Sequence, residues 1–291
     1  MKLRFTKMEG AGNDYVYIDE FAQPVPHDDK PRLAQTLSDR HFGIGGDGVI
    51  FIRPSKTADA EMEMYNADGT PGSMCGNGIR CVGKYLYDRH MVPGETFSVE
   101  SAGALKRLEV TSHTADGAAH ELRVDMGRPA LDRDSIPVVA ERTCDLDGQA
   151  AVVDEPIDVD GTTWHMTCVS MGNPHAVVFV DDVDHFPVDR VGPLFEHHER
   201  FPERTNTEFV QVLSRDRVRM RVWERGSGET LACGTGCCAT NVACVLGRRT
   251  DDEITVEVLG GELGIAWDRA TGHVYMTGPA TEVFSGEVEV G

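Results

Sequence analysis

The run Glu61-Met62-Glu63-Met64-Tyr65-Asn66, with Cys75-Gly76-Asn77-Gly78 nine residues beyond its end, returns 158 residues downstream as Arg219-Met220-Arg221-Val222-Trp223-Glu224 followed by Cys233-Gly234-Thr235-Gly236. Both six-residue runs alternate apolar with charged or aromatic side chains, the period of a half-buried strand. Each cysteine loop then opens onto a helical spacing of apolar residues: Ile79, Val82 and Leu86 in the first copy, Ala239, Val242, Ala243 and Leu246 in the second. A constant offset carried through strand, loop, cysteine and helix marks an internal duplication.

Outward from this core a third correspondence appears. Gly12-Asn13-Asp14 precedes the apolar run Tyr15 to Ile18, and Gly172-Asn173-Pro174-His175 precedes Ala176 to Val180, at an offset of 160. Further strand-like runs are Phe97 to Glu100, Leu122 to Met126, Thr163 to Val169, Phe209 to Leu213, Ile254 to Leu259 and His273 to Met276, many bounded by Gly, Asp or Pro. Strands therefore dominate and helices are few. The second helix carries no charge from Gly236 to Gly247, so it must be enclosed nearly all round, as by a curled sheet, and Gly247-Arg248-Arg249 reads as its end. The boundary between copies is expected in the polar stretch Thr111 to Ala119, giving an N-terminal lobe 1–115 and a C-terminal lobe 116–291, with the last strands free to return to the first.

A chain of 291 residues suits two domains of ordinary size. With 40% hydrophobic and 26% charged residues it is a folded protein, not a disordered one. No run of about 18 apolar residues exists, and Met1 to Phe5 lacks the pattern of a signal peptide, so a cytoplasmic location is expected. The 48 acidic against 28 basic residues leave a net charge of −20, which repels nucleic acid and anionic membranes. Only six of the basic residues are Lys, and an acidic, lysine-poor surface suits a halophilic source. The eight cysteines are too sparse for a disulfide scaffold, and their spacing reads as no zinc site.

A helix start opened by glycines offers unpaired N–H groups and a partial positive charge, which favour an anion such as a carboxylate and lower the pKa of a cysteine placed there. Cys75 and Cys233 are thus the two thiols most easily made basic. If the two copies face one another, the thiols reach a shared cleft from opposite sides, the geometry needed to move a proton through a stereocentre. One thiolate removes the α-proton from one face, one thiol delivers a proton to the other, and no cofactor is obligatory. Amides at both helix starts would stabilise the charge that spreads onto the substrate carboxylate. A free cysteine more often packs as a small buried hydrophobe. That reading suits Cys81, Cys237, Cys238 and Cys244, and Cys144 and Cys168 also read as structural, but a packing role needs no second Cys-Gly-x-Gly loop.

Asn66 and Glu224 end the apolar strand faces of the two copies, where a polar group can hold a substrate ammonium or tune a thiol, or simply reach solvent. Arg225, before Gly226-Ser227-Gly228, can approach a ligand carboxylate. The Gly-x-Gly-x-x-Gly of Gly43 to Gly48 is not a dinucleotide loop: it precedes the strand-like Val49 to Ile52 instead of a helix, and Asp47 would repel a pyrophosphate.

These segments resemble the diaminopimelate epimerase family over nearly the whole chain: Gly10-Ala11-Gly12-Asn13-Asp14, Asp39-Arg40-His41-Phe42-Gly43, Asn66-Ala67-Asp68-Gly69, Met74 to Gly78, Gly172 to His175, and Glu224 to Thr230 through Cys233 to Gly236. The resemblance implies an α+β fold of two pseudo-symmetric lobes, each a curved, mostly antiparallel, barrel-like sheet around a central helix, with the active site between them. It implies a cofactor-independent isomerase that interconverts LL- and meso-2,6-diaminopimelate in lysine biosynthesis, acting as a homodimer on a small-molecule substrate. Cys75 and Cys233 would be catalytic, and Asn13, Asn66, Asn173, Asn206, Glu224 and Arg225 would bind the two ends of the substrate. Gly76, Asn77, Gly234 and Thr235 would offer backbone amides to the reacting carboxylate. His175 and Glu224 would influence the thiol pKa values, His175 being well suited to that by its charge range, with a neutral histidine bonded near a strand start as the lesser alternative. Some members carry Gln where Gly48 stands.

Two other readings compete. Proline racemase and hydroxyproline epimerase share the paired cysteines but need an apolar pocket for a ring, and typically carry His where Asn77 stands; the polar residues here favour two amino-acid ends. A thiol redox sensor would instead join Cys75 to Cys233 on oxidation.

Overall fold

The strand, cysteine and helix order recurs in two separate units of the chain. A computed structural model describes residues 1–72 and 74–290. Its contacts part the chain into Met1–Asp125 with the segment from Thr277 onward, and Met126–Met276. The polar stretch 111–119 lies inside the first unit as the tip of a hairpin, and the division falls one strand later. A hairpin tip is as solvated as a linker, so its composition looks the same.

In the first unit β1 (Lys2–Gly10) and β2 (Asn13–Asp19) form an antiparallel hairpin. Helix α1 (Lys30–Ser38) crosses to β3 (Gly48–Arg53), parallel to β2, and β4 (Ala60–Asn66) returns antiparallel. The short β5 (Pro71–Gly72) pairs with β4. Helix α2 (Gly76–Asp88) then crosses to β6 (Thr96–Ser101), parallel to β4, and β7 (Ala104–His113) and β8 (Ala119–Gly127) follow antiparallel.

The second unit adds a small hairpin, β9 (Cys144–Leu146) with β10 (Gln149–Ala151), and then repeats the order. Strands β11 (Glu155–Val159), β12 (Thr162–Ser170) and β13 (Pro174–Phe179) are antiparallel neighbours. Helix α3 (Val188–Glu196) crosses to β14 (Asn206–Ser214), parallel to β13; β15 (Arg217–Glu224) returns antiparallel and carries β16 (Gly228–Thr230). Helix α4 (Gly234–Leu246) crosses to β17 (Glu253–Val258), parallel to β15, with β18 (Gly261–Trp267) beside it. After β19 (Val274–Pro279), β20 (Thr281–Glu289) lies antiparallel on β1 in the first unit. Both ends of α1 and α2 recur 158 residues on at α3 and α4. Mixed, mostly antiparallel strands with few helices make the fold α+β.

Strands wrap both cysteine-bearing helices. Helix α4 touches β12, β13, β14, β17 and β18, and its residues from Gly236 to Cys244 are all buried, as a charge-free helix requires. It closes on Arg248, left-handed at φ 56°, while Gly247 keeps a right-handed φ of −76°. Helix α2, which touches β1, β2, β7 and β20, is buried from Gly76 to Leu86 although it carries Arg80 and Lys84. Both reach backbone carbonyls of the same unit. Arg80 Nε donates to Pro279 O at 3.2 Å, and Lys84 Nζ donates to Ala119 O at 2.6 Å and pairs with Asp88 at 2.8 Å. Among the described residues no helix is long and apolar enough to cross a membrane.

Among the described residues none of the eight cysteines is in a disulfide. Cys81, Cys168, Cys237, Cys238 and Cys244 are buried, in keeping with a packing role. Cys144 is exposed on β9, so its structural reading is corrected: the β9–β10 hairpin stands outside the core cluster of its unit and leaves that side chain in solvent.

Candidate active site

Cys75 and Cys233 are the N-cap residues of α2 and α4, both extended, at φ −121°, ψ 112° and φ −124°, ψ 106°. A side chain at that position stands beside the open amides of the first turn, here Gly76-Asn77-Gly78 and Gly234-Thr235-Gly236. Cys75 Sγ accepts a hydrogen bond from Gly78 N at 3.2 Å, which favours the thiolate. Cys233 Sγ makes no such cap bond and lies 3.5 Å from Thr235 Oγ1.

The two sulfurs therefore differ. Burial pushes the Cys233 thiol well above its ordinary 9.0, and the Glu224 and Glu208 carboxylates push it further, against the Thr235 hydroxyl and the Gly236 amide. The lowering expected at both helix starts loses at Cys233, because about half a charge from a helix end cannot outweigh desolvation and two carboxylates. Cys233 holds its proton at neutral pH.

In the first unit the sequence-predicted asparagines meet at the head of α2. Asn77, 1% exposed, donates from Nδ2 to Asn13 Oδ1 at 2.5 Å, and Asn13 Nδ2 donates to Asp47 Oδ2 at 3.2 Å. Asp47 is held in turn by Asp14 N at 3.2 Å and Arg40 at 2.9 Å. Among the described residues Asn77 Oδ1 is buried with no hydrogen-bond partner, the kind of acceptor a ligand N–H satisfies. Asp47 was not singled out as a site residue; its only local signal was a carboxylate in a glycine loop. That loop runs into β3 and no helix follows it, as expected. Asn66 Nδ2 is instead taken by Thr70 Oγ1 at 3.0 Å, closing a turn after β4.

Gly48 begins β3 directly opposite Asn66, and a Cβ there would lie 2.2 Å from Tyr65 O and 3.2 Å from Asn66 Cα. No side chain fits at this backbone spacing. Gly48→Gln is expected to lower stability by about 1–3 kcal/mol through overpacking. A thermal melt checks this, and an unchanged midpoint would show that β3 and β4 can move apart freely.

In the second unit His175 on β13 is fully buried, with Nδ1 2.7 Å from Glu208 Oε1 and Nε2 3.0 Å from Asn173 Oδ1. Glu208, on the adjacent β14, is also fully buried, and among the described residues its Oε2 has no hydrogen-bond partner. Sequence reading missed Glu208 because it began the strand at Phe209. Extended by three residues, the alternation places Asn206 and Glu208 on one face with Val210. Burial raises the Glu224 pKa from 4.5, opposed by the Thr230 hydroxyl that donates to it and by His175.

The neighbouring loop is braced from below. Asn206 accepts from Arg225 N at 2.8 Å through Oδ1 and donates to Pro174 O at 2.9 Å through Nδ2, so its amide is spent on the chain itself. Arg225 is exposed, with Nη1 donating to Glu203 O at 3.0 Å. Buried Glu196, a second residue the sequence reading did not reach, accepts from Trp223 Nε1 at 2.7 Å and Gly226 N at 3.0 Å.

The model of the family described as diaminopimelate epimerase matches residues 5–131 and 167–283 of the chain. A diaminopimelate epimerase of Agathobacter rectalis is 54% identical over 288 residues, 99% of this chain and all of that one. Among solved structures, a phenazine biosynthesis protein of the PhzF family from Bacillus anthracis covers 100% of both chains at a TM-score of 0.70 and 14% identity. A hydroxyproline epimerase from Agrobacterium vitis, with bound trans-4-hydroxy-L-proline, covers 99% of this chain and 91% of its own at a TM-score of 0.67 and 15% identity. The last two likenesses carry the fold alone.

Proposed function

The chain belongs to the diaminopimelate epimerase family, and from that premise we propose that Cys75 and Cys233 carry its isomerase reaction, the interconversion of LL- and meso-2,6-diaminopimelate. The observation that supports this most is the matched placement of the two cysteines: each is the N-cap residue of a buried helix at similar backbone angles, nine residues after a polar residue that ends a strand.

In the LL-to-meso direction as read here, the Cys75 thiolate takes the α-proton: the C–H bond breaks and an S–H bond forms. The Cys233 thiol gives its proton to the opposite face, leaving the roles exchanged and the proton count unchanged. First-turn amides of α2 and α4 stabilise the charge that builds on the carboxylate. Asn13, Asn77 and Asn173 are the proposed polar contacts to the substrate, with Asn66, Glu224 and Arg225 toward its ends. Asn206 acts through Arg225, whose amide it holds. His175 and Glu224 tune Cys233.

Reduced protein is expected to epimerise LL-diaminopimelate without added pyridoxal phosphate or metal. In deuterated water the inverted product should carry deuterium at the reacting carbon while substrate recovered early does not, because separate groups serve the two faces. Equal early labelling of both species would speak for one exchanging base and against this assignment. The proposal extends to a cytoplasmic homodimer from a halophilic source. Exposed Val283 and Phe284 on β20 support the homodimer, and the net charge of −20 supports the halophilic source.

A further inference from the structure

We propose that His175, Glu208 and Cys233 form a binding site for a soft divalent cation such as Zn²⁺, and that its occupancy reversibly blocks epimerisation. One nitrogen, one carboxylate oxygen and the sulfur lie within 4.8 Å of one another, and the three side chains are 0%, 0% and 6% exposed. The set of one thiolate, one imidazole and one carboxylate is the mixed donor type that zinc takes, with a fourth position left to water.

Three further observations point to a cation. Among the described residues Glu208 Oε2 is fully buried with no hydrogen-bond partner, so this carboxyl of the cluster carries an unused acceptor. Asn173 Oδ1, 3.0 Å from Nε2, is placed to accept the Nε2–H of the tautomer that leaves Nδ1 free to ligate, the outer support a metal-bound histidine ordinarily has. Gly236 keeps the space between the acids open: a Cβ there would fall 2.6 Å from Glu208 Oε1 and 3.3 Å from Cys233 Sγ.

Charge supports the same reading. Glu208, Glu224 and Cys233 crowd three acidic groups into one buried place, and only protons or a cation can neutralise them. On binding, the sulfur–hydrogen bond of Cys233 breaks, a sulfur–metal bond forms, and two protons leave to solvent, that of the thiol and the one held in the 2.7 Å hydrogen bond between His175 Nδ1 and Glu208 Oε1. Thiolate, carboxylate and dication then sum to zero. The block on turnover rests on the proposed role of Cys233; the site itself does not.

The test uses Co²⁺ as a spectroscopic probe on the reduced full chain, with no thiol reagent present. A thiolate-to-cobalt charge-transfer band should rise to one equivalent and turnover should fall with it, both reversed by a chelator. Cys75→Ala should keep the band, Cys233→Ala should lose it, and Glu208→Gln should weaken binding by about tenfold or more. Circular dichroism of each variant reports folding, and Glu208→Gln decides the matter if Cys233→Ala does not fold. Absence of a band in the unaltered protein, its survival in folded Cys233→Ala, or its loss in Cys75→Ala would overturn the site. A full band with undiminished turnover would instead remove Cys233 from the mechanism.

Discussion

Cys75→Ala and Cys233→Ala are each expected to lose epimerase turnover by about 10²–10⁴-fold, the scale of a lost acid or base, while the circular dichroism spectrum stays that of the parent. Inversion needs one donor and one acceptor, so neither sulfur can replace the other. The two variants should differ in stability. Cys75 caps α2 through Gly78 N, so its loss costs about 0.5–2 kcal/mol. Cys233 has no side-chain cap bond, and its thiol is a hydrogen-bonding neighbour that lowers the Glu224 pKa, so its loss acts at that carboxyl instead of at the helix start. Progress curves from both stereoisomers and a urea titration check these points. Near-normal turnover in either variant would take that cysteine out of the reaction.

Lys30→Met is expected to cost about 3–5 kcal/mol, the scale of breaking a buried ion pair by removing one partner. Lys30 is 2% exposed at the start of α1, with Nζ 2.8 Å from Glu20 Oε2 and 2.6 Å from Glu63 Oε2, over the Phe51 ring. Methionine keeps the apolar stem and deletes only the charge. Glu63 would retain Arg53 at 2.7 Å and the Tyr65 hydroxyl at 3.0 Å, whereas Glu20 would keep only Arg53 at 3.9 Å and the Val25 amide. Burial alone would raise the Glu63 pKa, but Lys30, then Arg53 and Tyr65, outweigh it and hold the carboxyl below its ordinary 4.5. A carboxyl depressed in the folded state contributes stability that is complete above about pH 4.5 and is lost as pH falls through the folded value. Acid unfolding of the parent should therefore steepen below about pH 4.5, and the variant should show a shallower dependence. An unfolding free energy from denaturant titration within about 1 kcal/mol of the parent would mean the pair is already screened by water.

Much of this architecture was legible beforehand, for local reasons. Strand alternation at Glu61 to Asn66 and Arg219 to Glu224, and the glycines after Cys75 and Cys233, are properties of neighbouring residues. Helices α1 and α3 were not read: α3 contains Gly192 and Pro193, and α1 is short and polar, so packing overrides propensity in both. β20 escaped because nearly all of it is exposed, which removes the period-two signal; what holds it is its ladder with β1.

The sequence by itself determined the duplication, the α+β class and the two cysteine-capped helices, since each follows from spacing along the chain. Only the tertiary structure decided that Glu208 joins His175 and Cys233, that Asp47 holds Asn13, that position 48 has no room for a side chain, and that the Cys233 thiol keeps its proton. Each of these depends on distance and burial between groups far apart in the chain, and electrostatic and steric energies are set by separation in space, to which a linear order of residues is blind.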